Sequence, residues 1–142
     1  AKDWRIWRLG DAMALHDANM LHFSQWWTRS KRAGYAFAEG ASIHGTGPMR
    51  HYVGERRRAI VWGLLIPALI AIAVCLSPLA LGLSLVYPLQ ILRLATRLGL
   101  RDHFSWSRSF FLTLSKFPES LGVLKFYWNK HRGHVGGLIE YK

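Results

Sequence analysis

From Ala59 to Leu92 the chain runs thirty-four residues without a charged side chain, between Arg56-Arg57-Arg58 and Arg93. No other feature restricts the fold as much. A charge at the centre of a bilayer costs about 2.5–3.5 kcal/mol on insertion scales, so this gap in a chain of net charge +11 is a physical constraint. The hydrocarbon core is roughly 30 Å thick and a helix crosses it in about 20 residues. Thirty-four residues exceed one simple span and barely supply two. The sequence predicts a mainly α fold built on a transmembrane helical hairpin: Ala59 to Leu76, a break at Ser77-Pro78, and a second arm from Leu79. As a helix that arm rises only about 21 Å by Leu92. It spans if Arg93 and Arg97 snorkel and Leu94, Ala95 and Leu98 extend its apolar face; otherwise it is re-entrant or interfacial. Pro67 and Pro88 fall inside the arms, where neighbouring helices can satisfy the carbonyls that a proline leaves free.

The hairpin divides the chain into residues 1–54, 55–98 and 99–142. Ten Lys or Arg and five acids precede Ala59, and nine and three follow Leu92, so both flanks are basic. With an even number of spans the flanks share one side, and the positive-inside rule makes that side the cytoplasm. Both termini are thus expected to be cytoplasmic. A basic chain also suits nucleic acid, but Arg56–Arg58 sit at the membrane boundary and no recognition signature accompanies them, so none is expected as a partner. Cys75 is alone, which leaves no disulfide framework and no thiolate metal site. The opening Ala1-Lys-Asp-Trp4 carries no signal-peptide pattern and suits a fragment of something longer.

In the first segment, Asp3–Leu9 reads as a short strand. A helix is expected from Asp17, whose carboxylate can cap it, to about Ala38. His22, Gln25, Arg29 and Arg32 form one polar stripe, with Phe23, Trp26, Ser30, Ala33 and Phe37 on the neighbouring one and Trp27 beside it. Such a helix suits a membrane interface, with indoles at headgroup depth. It equally suits a polyanion-and-sugar site, with guanidinium forks on phosphate oxygens and an indole on the ring. His16-Asp17 could complete a divalent-metal site or simply cap the helix. His44 and His51 lie in a turn-rich stretch, as a conceivable metal pair or as solvated loop residues. In the last segment, basic and aromatic stretches divided by Pro118 read as two amphipathic helices, lying in the interface or packed on another domain. Leu138–Tyr141 is a possible short strand.

Leu15-His-Asp-Ala-Asn-Met20 with Phe23-Ser-Gln-Trp-Trp-Thr-Arg-Ser-Lys-Arg-Ala-Gly-Tyr-Ala-Phe-Ala-Glu39 resembles the carboxy-terminal part of bacterial membrane-associated family-2 glycosyltransferases. The resemblance continues through Glu55–Gly63, Pro67, Lys116–Gly122 and Leu138–Lys142, nearly the whole chain. It implies a missing α/β catalytic domain of the GT-A type, of which the N-terminal strand would be a remnant. That domain would bind a nucleotide-sugar through Mg²⁺ or Mn²⁺ on an Asp-x-Asp motif, with a carboxylate as general base. This chain contains neither, and is not expected to be active alone. The family's processive members carry Gln-x-x-Arg-Trp; the order here is Gln25-Trp26-Trp27-Thr28-Arg29, so processive synthesis is not implied. The resemblance points to Gln25, Trp26, Trp27, Arg29 and Arg32 as substrate-binding and to His16 and Asp17 as metal-contacting. The acceptor expected is a membrane-proximal lipid or glycan. The alternative is a small non-enzymatic basic membrane protein that binds anionic lipid or a protein partner.

Overall fold

The structure, a computed structural model, describes residues 21–47 and 50–133. Both expected strands, His16 and Asp17 lie outside them. Among the described residues the chain is helical, with no strand.

Helix α1 spans Phe23–His44. Its N-cap, His22, is extended, so the helix that was expected to run on from Asp17 begins at Phe23 instead. The reason is local. The Gln25 side-chain oxygen accepts from the backbone N–H of Leu21 (3.0 Å) and of His22 (3.2 Å), amides that a continuous helix would have bonded internally. At the other end α1 outruns Ala38 by six residues, because Ala38 and Ala41 are buried in tertiary contact.

Helix α2, Val53–Leu76, is long and apolar enough to cross a membrane, and so is helix α3, Pro78–Leu98. In α2 the α-helical stretch Val53–Ile60 gives way to a π turn over Val61–Leu65 before the α pattern resumes at Ile66. Pro67 has no N–H to give. The Ile66 N–H bonds the Val61 carbonyl, five residues back. In that register Trp62 O would look to residue 67, and in the α register Gly63 O would. Two hydroxyls from elsewhere face them: Tyr87 Oη donates to Trp62 O at 2.9 Å, and Ser120 Oγ shares its proton between Gly63 O at 3.1 Å and the Phe117 carbonyl of its own helix at 2.8 Å. The expectation that neighbours would satisfy proline-freed carbonyls is met by named atoms.

Leu76 ends α2, and Ser77 is extended before Pro78. Residues Pro78–Leu85 of α3 are a 3₁₀ helix and Val86–Leu98 an α-helix, with Pro88 in the latter's first turn. A 3₁₀ helix rises about 2.0 Å per residue rather than about 1.5 Å, which lengthens this arm by roughly 4 Å over the α-helical reach.

Helix α4 (His103–Leu114) is capped by Asp102, whose carboxylate accepts from the Phe104 N–H at 3.0 Å. Helix α5 (Lys116–His131) carries Pro118 in its first turn. The main packing is α1 on α5, at a crossing made by glycine. A Cβ at Gly34 would collide with the Glu119 carbonyl, one at Gly122 with the Lys31 carbonyl, and one at Gly63 in α2 with the Lys116 carbonyl. Ala38, Ala59, Val123 and Phe126 fill the centre, with Tyr35 edge-on to Phe126 at 5.3 Å.

Around that apolar centre, several polar side chains are buried and many large apolar ones are exposed. Ser105, Ser109, Thr113, Ser115, Ser120 and Glu119 are buried, while Leu76 is 84 % and Leu79 91 % exposed and Phe104, Phe110, Phe111 and Trp128 face outward. Only 6 % of the most apolar stretch of α2 or of α3 is buried, which a core helix of a soluble protein would not show. The buried hydroxyls of α4 satisfy themselves on its own backbone: Ser109 on Ser105 O (2.7 Å) and Thr113 on Ser109 O (2.9 Å). Small residues between helices and large apolar ones outside is the pattern of helices packed in lipid.

Candidate functional site

One face of α1 forms an open groove of about 810 Å³, lined by Ser24, Gln25, Thr28, Arg29 and Arg32, with Ala33 and Ala36 as its apolar wall. The i, i+3 and i+4 spacing puts these side chains in one row along the helix. Arg29 and Arg32 are both exposed, Lys31 stands between them in sequence, and the acid of α1, Glu39, is nearly two turns further on. Among the described residues, the groove thus carries two arginine side chains and no acid. The positive end of the α1 dipole adds to their charge and favours an anion there.

Of the predicted binding residues, the structure brings together Gln25, Arg29 and Arg32. The Gln25 oxygen serves the helix cap, so its first role is to fix where α1 starts. Trp26 and Trp27 do not line this groove. Trp26 packs edge-on against Phe111 of α4 (5.3 Å) and against Phe23 (5.2 Å), and Trp27 lies 5.9 Å from Phe23. The Trp26–Phe111 contact reaches from α1 to α4.

Among the described residues no three His, Cys, Asp or Glu side chains come together as a metal site. His44 closes α1, and His51 stacks on Tyr52 with ring centres 4.3 Å apart. The buried carboxylate, Glu119, has both oxygens engaged, by Ser115 Oγ (2.7 Å) and Lys116 Nζ (2.6 Å) at the start of α5. A carboxylate held this way anchors a helix end rather than taking a proton from a substrate.

A second basic surface draws on the Arg56–Arg58 triplet and on the basic, aromatic stretch after Pro118. Arg56 donates to Tyr127 Oη at 2.8 Å, Arg132 stacks on Trp128 with 4.5 Å from guanidinium carbon to ring centre, and Lys130 reaches Ser42 Oγ at 2.7 Å. The Trp128–Arg132 pair could have been found from its i, i+4 spacing. The Arg56–Tyr127 pair, 71 residues apart, carries no local signal. Compared with protein-family models, curated proteins and solved structures, the chain matches none.

Proposed function

We propose that this chain is the membrane-anchoring, carboxy-terminal portion of a bacterial family-2 glycosyltransferase, which moves a sugar from a nucleotide-sugar to a lipid or glycan acceptor at the membrane. The observation that carries the membrane part is the burial pattern, with hydroxyls and glycines inside and large apolar side chains outside. In this reading α2 and α3 form a spanning hairpin with its Ser77 turn on the far side. Both basic flanks are cytoplasmic, and α4 and α5 lie at the interface. The 3₁₀ stretch supports full spanning by the second arm, whose α-helical length would be marginal.

The arginine-lined groove of α1 and the sequence resemblance support the enzymatic part. Arg29 and Arg32 would meet a diphosphate, with Gln25 setting the start of the helix that carries them. The divalent metal would be held mainly by the missing catalytic domain, where it would offset charge on the departing diphosphate. The test has two arms. Tags inserted after Gly45 and after Gly133 should be accessible from the same, cytoplasmic, face; opposite faces would rule out the hairpin. In the full-length protein Arg32→Ala should depress sugar transfer at least tenfold while membrane retention is unchanged, and equal losses would leave only an interfacial role.

The non-enzymatic reading draws on one observation: the buried carboxylate of the described residues is fully engaged and unsuited to base catalysis. The gene upstream of Ala1 discriminates. An in-frame strand–helix domain with Asp-x-Asp supports the enzyme, and a start codon immediately before Ala1 eliminates it.

A further inference from the structure

The outer face of α5 holds a second groove, lined by Leu124, Lys125, Tyr127, Trp128 and His131. Its floor is almost wholly apolar, and Leu124, Tyr127 and Trp128 stand exposed along it. Its rim is cationic. Lys125 lies on the groove, Arg132 is stacked on the Trp128 indole, and Arg56 is tethered to the Tyr127 hydroxyl. Arg57 follows at the head of α2. The acid of α5, Glu119, is at the far end of the helix and paired with Lys116, while Glu55 is paired with Arg58.

The position of this groove is set by two contacts. Ser120 stands against Gly63 and Tyr127 against Arg56, seven residues apart on both helices. α5 therefore runs antiparallel along α2, and its C-terminal half is level with the Arg56–Arg58 triplet, where the uncharged run begins. An apolar trough with a cationic rim at that level matches a molecule with an acyl chain and an anionic head. We infer that this groove is a binding site for one anionic phospholipid, its acyl chain along Leu124, Tyr127 and Trp128 and its phosphate at Lys125, Arg132 and the head of α2. The site rests on the membrane reading proposed above. It is separate from the α1 groove, which lies on a different helix.

The test uses the whole chain in phosphatidylcholine vesicles containing either a brominated phosphatidylglycerol or a brominated phosphatidylcholine at the same low mole fraction. The contribution of Trp128 is the difference in quenching between the wild type and Trp128→Phe. Brominated phosphatidylglycerol should quench it at least twofold more than brominated phosphatidylcholine. The Lys125→Gln/Arg132→Gln variant should lose that preference, and millimolar glycerol phosphate should leave it intact. Equal quenching by both lipids in the wild type would overturn the inference, as would displacement by glycerol phosphate, which would indicate a site for the free anion. Extraction by alkaline carbonate is read in parallel: a chain that stays in the membrane without lipid preference defeats only this inference, and a chain that is washed off defeats the membrane reading itself.

Discussion

Ser120 shares its hydroxyl proton between the Phe117 carbonyl of its own helix, at 2.8 Å, and the carbonyl of Gly63, at 3.1 Å across 57 residues of sequence, and the Gly63 carbonyl is one that Pro67 leaves without an α-helical donor. The proline break in α2 is thereby fastened to α5, just as the Tyr87 hydroxyl fastens it to α3. Ser120→Ala should destabilise the fold by about 0.5–1.5 kcal/mol, in the range of interhelical hydrogen bonds in membranes. Pro67→Ala restores an N–H, so in that background Ser120→Ala should cost less than half as much. Unfolding in a detergent titration, read by helical circular dichroism, measures both, and additive effects would contradict the link.

The glycine crossing makes a sharper contrast. Gly122→Ala places a methyl group against the Lys31 carbonyl, and overpacking of this kind costs about 1–3 kcal/mol. Gly54→Ala meets nothing within 4 Å and should leave stability unchanged or raise it by roughly 0.5–1 kcal/mol, as alanine for glycine does in a helix. Thermal melts of the two purified variants in one detergent check the pair.

Lys116→Met should leave Glu119 buried with Ser115 as its remaining partner, at a cost of about 1–3 kcal/mol. Arg58→Met breaks a pair of nearly the same length, but its two side chains are 62 % and 39 % exposed, and the change should stay below about 1 kcal/mol. The same detergent titration separates them.

Trp26 and Arg32 should part company. Trp26→Ala removes an indole wedged between Phe23 and Phe111, worth about 0.5–1.5 kcal/mol beyond its buried area, and should lower the melting temperature. Arg32→Ala should leave melting unaltered, because its side chain is exposed on the groove. A tryptophan variant that melts as the wild type does would show that this packing carries no stability.

What could be read in the sequence was what a few neighbouring residues decide. The end of α2 at Leu76 follows from the Ser77-Pro78 step, since the residue before a proline is pushed out of the α region. The start of α5 follows from Pro118 by a different rule, since a proline is tolerated in the first turn of a helix, and the polar row Gln25, Arg29, Arg32 follows from helical spacing. What escaped depends on distant partners. The π turn exists because of Pro67, but it is held by hydroxyls 25 and 57 residues away. Helical spacing put Trp26 beside the polar stripe, yet its partner Phe111 sits on another helix. Gly34 and Gly122 read locally as helix-weakening residues; their close approach becomes visible only when both helices are in place.

That crossing also sets an order of assembly during translation. The contact between Ser42 and Lys130 spans 88 residues, so at about 5–20 residues per second α1 leaves the ribosome roughly 4–18 s before its partner has been made. Throughout that interval its Tyr35 and aromatic N-terminal turns lie open to chaperones and proteases. Docking of α5 is then the step that closes the molecule. A nascent chain halted after Leu98 would hold both long apolar helices and leave α1 without a seat.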